Sequence, residues 1–355
     1  MASGPPGSPG ARAPAGHGRL WLGLLGILLS LAFLYWALRG VRLDEVVAHV
    51  RRANLALFVL SVVLATLTFP ARASRWRIIL AASGSPTPWQ PVWRATAIGF
   101  MANNLLPARA GELARAYAAA RFVDLPLARS IGSIAVERVF DGLIVVFLLA
   151  LVIATFDFPG AVVVAGANVS ATAAWTGALF IAALGVLFFL VHAPREALRW
   201  LAALLRRAAP RRTADFVVRV TRSFIEGLSI LRSPGDFVRV VGWSLAIWII
   251  NASAFYAAFL AFHLGPLPFS SALLLQGIVA VGVALPSSPG FFGAFEYCSR
   301  VALGLYGVRP DASVSFAIGT HVGWFLPITL IGLYYLARSG LSLHDITAAR
   351  AVEAA

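Results

Sequence analysis

The chain has 355 residues, of which 59% are hydrophobic and only 12% charged, and its mean hydropathy is +0.82. Soluble domains carry about a quarter charged residues, so this composition excludes an ordinary water-soluble domain and reads as a polytopic membrane protein. The net charge of +14 comes from Arg alone, with no Lys, and lies between apolar runs; this argues against a nucleic-acid partner and for cytoplasmic loops at an anionic lipid surface.

The single cysteine, Cys298, excludes an intrachain disulfide and a Cys-based metal site, and the six His have no ligand spacing. Neither metal nor cofactor is expected.

In chain order, residues 1–18 are rich in Gly, Pro, Ala and Ser and are expected to be a disordered tail. Residues 20–38 are long enough to cross a bilayer at ~1.5 Å per residue. Ala37-Leu38-Arg39-Gly40 is a poor cleavage site, so this first span is read as a retained anchor. A second span, 55–71, is closed by Arg72, Arg75 and Arg77. Residues 92–106 follow, then a break at Pro107 and an Arg-bearing helix to about Phe122. The span 131–155 carries Glu137, Arg138 and Asp141 near its start, and 173–191 is another span. Between 194 and 239, apolar residues at helical spacing among many Arg predict a pair of amphipathic helices on the cytoplasmic leaflet, interrupted at Pro210. Span 240–262, the run 272–285, a second break, a return helix to about Leu305 and a last span, 314–337, complete the pattern.

Loop charge sets the expected orientation. The Arg-rich 194–239 belongs inside, the uncharged 156–172 and 263–269 outside, and both termini fall in the cytoplasm. The loop 39–54, with four Arg and two acids, is the exception on the outside. The count closes only if both broken segments enter and return on the same side. The expected fold is therefore an all-α inverted repeat of about six full transmembrane helices plus two re-entrant hairpins. Its halves are about 19–155 and 173–340 within one integral domain, 19–340, followed by a cytoplasmic tail, 341–355. Paired Pro/Gly-interrupted segments mark the binding site in transporters built this way. The expected location is the plasma membrane, read as a bacterial inner membrane.

The two breaks carry matching motifs. The first is Asn103-Asn104-Leu105-Leu106-Pro107 with Arg109, Gly111, Glu112 and Arg115. The second is Leu285-Pro286-Ser287-Ser288-Pro289-Gly290 with Gly293 and Glu296. Both Pro and Gly recur at one offset (286 − 107 and 290 − 111 are each 179). A helix restarting at membrane depth presents free N–H groups and a dipole that favour an anion, above all phosphate. Ser288 is a plausible N-cap with Pro289 at the first helical position. Asn103 and Asn104 can satisfy backbone groups freed by the break, and Arg109 and Arg115 offer planar forks suited to a phosphodiester.

Glu112, Glu137, Asp141 and Glu296 match Arg109, Arg115, Arg138 and Arg300 in number, a set that can form a neutral network exchanging partners as a headgroup passes. The plainer alternative is a set of structural ion pairs, with Glu296 capping a helix or pairing with Arg300. Arg138 and Asp141 are placed near a membrane face, where ordinary interfacial charge accounts for them. His263 and His321 read as isolated polar positions. No nucleophile elbow, zinc, P-loop or dinucleotide pattern occurs, so the chain is expected not to be an enzyme.

On these residues the chain resembles the lysylphosphatidylglycerol synthase transmembrane-region family, the flippase-like integral membrane proteins. The resemblance rests on the two break motifs together with Glu137-Arg138 and Asp141, and covers most of 20–340. It implies a lipid translocator, since the family's best-known members move aminoacylated phosphatidylglycerol between leaflets. Those members carry a soluble aminoacyl-transferase domain after the membrane region. This chain ends soon after its last span, so the cargo need not be lysyl-phosphatidylglycerol. The expected partners are membrane lipids with a phospholipid or polyprenyl-phosphate headgroup. The alternatives are the membrane part of a headgroup-modifying enzyme with a separate soluble partner, and a lipid-binding scaffold.

Overall fold

The computed structural model describes residues 28, 31–82, 87–106, 110–155, 163–164, 167–168, 186, 189, 193–208, 211–228, 233–284 and 288–341. Pro107, Arg109 and Pro286, both tails, most of 173–191 and Pro210 lie outside them. After helical residues 31–38 come α1 (Leu43–Arg52), α2 (Leu55–Ala82), α3 (Trp89–Leu105), α4 (Ala110–Val123) and α5 (Leu127–Thr155). Among the described residues, a two-residue antiparallel pair, Val163–Val164 with Ala167–Asn168, is the exception to otherwise helical elements. Then follow α6 (Pro194–Ala208), α7 (Arg211–Gly227), α8 (Pro234–Ala261), α9 (Phe269–Gly282), a 3-10 turn (Pro289–Phe291), α10 (Ala294–Gly304) and α11 (Pro310–Ser339).

Among the described residues, α2, α8 and α11 are long and apolar enough to cross a membrane. The expected end of the second span at Arg72 is wrong. Five apolar residues, Ile78 to Ala82, follow Arg77, and α2 runs through all three Arg to Ala82. Its interior Pro70 removes one helical donor, and Ser74 Oγ donates to the Pro70 carbonyl at 3.0 Å.

The helices repeat. The 28-residue α2 and the 28-residue α8 start 179 residues apart (234 − 55) and end 179 apart (261 − 82), the same offset as the break motifs. The two pack along each other through small side chains, as helices in lipid do, and Ser61 Oγ donates to the Ala254 carbonyl at 2.8 Å. Each is followed by two shorter helices joined at a break and then by a long one: α3, α4 and α5 in one case, α9, α10 and α11 in the other.

The shorter helices approach closely. A Cβ at Gly111 would overlap the carbonyl oxygen of Gly99, and a Cβ at Gly99 would lie 2.5 Å from Cβ of Arg115, so α3 and α4 touch backbone to backbone. Gly282 on α9 instead faces the side chain of Cys298 on α10, where a Cβ would overlap Sγ. One core gathers α3, α4 and the end of α11 around Trp76, Met101 and Ala114; a second gathers α8, α9, α10 and α11 around Phe255, Leu275 and Phe316.

The connections collect at two ends. At one, the Asn54 N–H donates to the Ala261 carbonyl at 2.8 Å, and Glu45 and Asp311 both meet Arg309 at 3.2 Å. At the other, Trp89 Nε1 donates to Ser74 and Trp93 Nε1 donates to Tyr335, each at 3.1 Å.

Candidate functional site

The helices α2, α4, α5 and α8 bring a set of charges together in the interior. Asp141 stands at the midpoint of the 29-residue α5, with Glu137 one turn earlier on the same face. Arg75 of α2 reaches both: its Nη1 donates to Asp141 Oδ1 at 2.6 Å and to Ser244 Oγ of α8 at 2.9 Å, and its Nη2 lies 3.3 Å from Glu137 Oε1. Arg115 of α4 grips Glu137 with two parallel bonds, 2.9 Å from Nη1 to Oε1 and 2.8 Å from Nη2 to Oε2. Its guanidinium stacks 3.8 Å from the Trp76 ring, which is held in turn by a bond from Nε1 to Ser133 at 2.9 Å.

Arg72 donates to Asp141 Oδ2 at 3.2 Å. Arg138, 40% exposed at its side chain, contacts Glu137 at 2.8 Å, Asp141 at 3.2 Å and Glu112 at 3.9 Å. Arg75 and Glu137 are 0% exposed.

Four guanidiniums thus meet three carboxylates, Glu112, Glu137 and Asp141. Among the described residues, Arg75 Nε and Arg115 Nε, both buried, have no acceptor. A buried donor without a partner is unfavourable, and an excess positive charge more so, unless an anion or water reaches it.

The second feature joins the two breaks. At the first, Asn103 Oδ1 accepts the Gly111 N–H at 2.9 Å, closing the gap between α3 and α4. Asn104 Nδ2 donates to Thr329 Oγ1 at 2.7 Å and to the Phe325 carbonyl at 3.4 Å, which ties this hairpin to the middle of α11. Four residues before Thr329, Phe325 packs on Phe292 of the second break at 5.7 Å. His321 contacts the Gly290 carbonyl at 2.8 Å and Glu296 Oε1 at 2.6 Å. Phe100, one turn before Asn104 on α3, lies under Arg72 at 5.9 Å and so connects the charge network to this junction.

With this geometry established, comparison with known proteins assigns the family. The chain matches the lysylphosphatidylglycerol synthase TM region over residues 23–332. It belongs to the lysylphosphatidylglycerol synthase transmembrane-region family. A glycosyltransferase, AglD of Haloferax volcanii, is 30% identical over 325 residues, covering 83% of this chain and 51% of that protein. A UPF0104 membrane protein of Methanocaldococcus jannaschii is 24% identical over 136 residues, covering 38% of this chain and 40% of that protein. The chain thus spans about half the length, or less, of the curated relatives it matches. The expectation that this family member is not an enzyme is overturned by the first relative, whose name points to an enzyme-like role.

Several expected pairings in this family member are also corrected. The carboxylates Glu137 and Asp141 are held by Arg72 and Arg75 as well, which lie outside the expected set of partners. Among the described residues the network carries one positive charge in excess and is not neutral. Asp141, expected near a membrane face, sits at the midpoint of its helix and is 6% exposed. Arg300 does not pair with Glu296: its Nη1 donates to the carbonyls of Trp36, Ala37 and Arg39 at 2.7–2.8 Å.

Ser288 precedes only the 3-10 turn begun by Pro289, and its Oγ donates to the Phe292 carbonyl at 3.1 Å. The helix proper starts after Gly293, whose N–H donates to Glu296 Oε2 at 2.6 Å. Gly290 and Gly293 both take positive φ there, 67° and 87°, which suits residues without a Cβ. His321 is anything but isolated.

Proposed function

We propose that this chain passes the phosphate-bearing headgroup of a membrane lipid between leaflets, with the charge network as the place where the phosphate is met. The observation that carries this reading is the excess guanidinium, with Arg75 Nε and Arg115 Nε lacking acceptors in the interior. Interior ionisable groups in a membrane protein commonly mark a substrate path, and a planar fork suits phosphate oxygens. In this reading Asn103, Asn104, Pro107, Arg109, Gly111, Glu112 and Arg115 line the first break with Glu137, Arg138 and Asp141. Pro286, Ser288, Pro289, Gly290, Gly293 and Glu296 form the second. A passing phosphate exchanges places with Glu137 on Arg115 and is released when the carboxylate returns.

The architecture we propose is the inverted repeat with both breaks re-entrant, supported by the common 179-residue offset of helices and motifs. The orientation has the connection 124–126 in the cytoplasm and 263–268 outside. In a Cys298→Ser background, Pro266→Cys should label with an impermeant maleimide on intact cells and Pro126→Cys only after permeabilisation. Labelling of both from outside would end this topology.

A second reading is favoured by the relative named as a glycosyltransferase. Here the chain is the membrane part of an enzyme that presents a phosphate-linked lipid for sugar transfer, with a soluble partner. Both readings need the same phosphate contact and differ in the lipid. Mass spectrometry of lipid retained after gentle purification should find a phosphate-bearing lipid, depleted at least tenfold in the Arg115→Gln, Glu137→Gln variant. A phospholipid favours the first reading and a sugar-bearing polyprenyl phosphate the second. Equal retention by wild type and variant would count against both.

A further inference from the structure

The second break contains a titratable pair that phosphate binding does not use. His321 of α11 is 8% exposed and Glu296 of α10 is 2% exposed. The imidazole has partners at both nitrogens and on both faces. Nδ1 lies 2.6 Å from Glu296 Oε1, and Nε2 lies 2.8 Å from the Gly290 carbonyl oxygen. The rings of Phe292 and Phe295 cover it at centroid distances of 4.4 and 4.5 Å, inclined by 26° and 34°.

These contacts fix the proton count. A carbonyl oxygen only accepts, so Nε2 carries a hydrogen. The 2.6 Å contact then requires a second hydrogen between Nδ1 and Oε1, on the imidazole or on the carboxyl. The pair therefore shares one proton and is neutral as a unit, which its burial demands. The other carboxylate oxygen accepts from the Gly293 N–H at 2.6 Å, at the N-terminus of α10, where negative charge is favoured.

Loss of that proton changes the structure. A buried carboxylate would then face a bare Nδ1 lone pair at the same distance, and the contact opens. Glu296 caps α10 at Gly293, so opening releases the α10 side of the second break from α11. One and two turns further along α11, Phe325 and Thr329 hold Asn104 of the first break. The shared proton thus bears on both breaks.

We propose that His321 and Glu296 are a proton-binding site whose loading and release latch and free the second break, coupling lipid transfer to proton movement. The coupling rests on the transfer reading above. Among the described residues, α10 adds Cys298 in the field of Glu296. Arg300 of α10 is engaged with carbonyls elsewhere. The neighbouring α3, α8 and α2 reach this region with Asn104, Phe255 and Ser61, none of which titrates.

The test has two readouts. In nanodiscs, imidazole-¹⁵N spectra of wild type, with His321 assigned from the His321→Gln variant, should show a shared proton at Nδ1 that is lost as pH rises. Glu296→Gln keeps the carbonyl that accepts from Gly293 and offers an amide N–H to a neutral Nδ1. It should fold and hold His321 neutral throughout. In liposomes, transfer of acyl-labelled fluorescent phosphatidylglycerol by wild type should quicken at least tenfold under an imposed pH gradient, and Glu296→Gln should lose that response.

A wild-type Nδ1 with no shared proton at any pH, or an intact gradient response in folded Glu296→Gln, overturns the proposal. Wild-type transfer indifferent to the gradient overturns the coupling and leaves the transfer reading standing. No wild-type transfer at all overturns the transfer reading, and the coupling with it.

Discussion

Replacing Arg75 with Met should remove most of the folded protein from the membrane. Arg75 is fully buried and binds Asp141, Glu137 and Ser244 together, so its loss strips a cation from between two buried carboxylates. Removing one partner of a buried ion pair costs about 3–5 kcal/mol, because the remaining charge is left without compensation. That is a large share of the ~5–15 kcal/mol that holds a typical domain together. Arg75→Lys restores the charge without the fork and should fall between the two. Arg195→Met, on the exposed start of α6, should change stability by no more than about 0.5 kcal/mol. Thermal unfolding in detergent, read alongside membrane yield, checks the series. Wild-type yield and unfolding temperature for Arg75→Met would mean that the network does not hold these helices together.

What could be read from the sequence, and what could not, follows from the range of the interactions. Long apolar runs announce the helices because lipid imposes their length, and α8 and α11 begin within six residues of expectation. Pro107 and Gly111 announced a break because both act locally on the backbone. Arg75 was misread because its meaning lies in Asp141, 66 residues on, which periodicity cannot reveal. A signal was nevertheless present: the apolar residues Ile78 to Ala82 continue the run beyond Arg77, so the Arg were inside the helix. His321 was missed for the same reason, since Glu296 and Gly290 stand 25 and 31 residues earlier.

The helix start at Gly293 was misplaced for a different reason. The Ser288-Pro289 pair is a good local start signal, but Gly290 at φ 67° and Gly293 at φ 87° interrupt any helix begun there. Glu296 then supplies the cap from inside the next helix. Local propensity gave way to a chain path that has to meet α11.

Leaflet transfer by a matched double variant tests whether a lipid phosphate meets the Arg115 end of the network. Arg115→Gln alone leaves Glu137 under-compensated and confuses folding with function. Adding Glu137→Gln removes one positive and one negative charge, keeps the excess of one, and replaces a bidentate ion pair with two amides that can still bond to each other. Arg75 and Arg138 keep their hold on Asp141. The folded double variant loses the fork that a phosphate would occupy, together with the charge that Glu137 offers to Arg75 and Arg138. Liposomes carrying wild type, the double variant or Arg195→Gln would be loaded with acyl-labelled fluorescent phosphatidylglycerol, and exchange between leaflets followed by quenching from outside. Wild type and Arg195→Gln should transfer the lipid, and a double variant of wild-type stability should lose at least tenfold in rate. Transfer at the wild-type rate by that variant would make Arg115 and Glu137 a structural ion pair alone and contradict the claim.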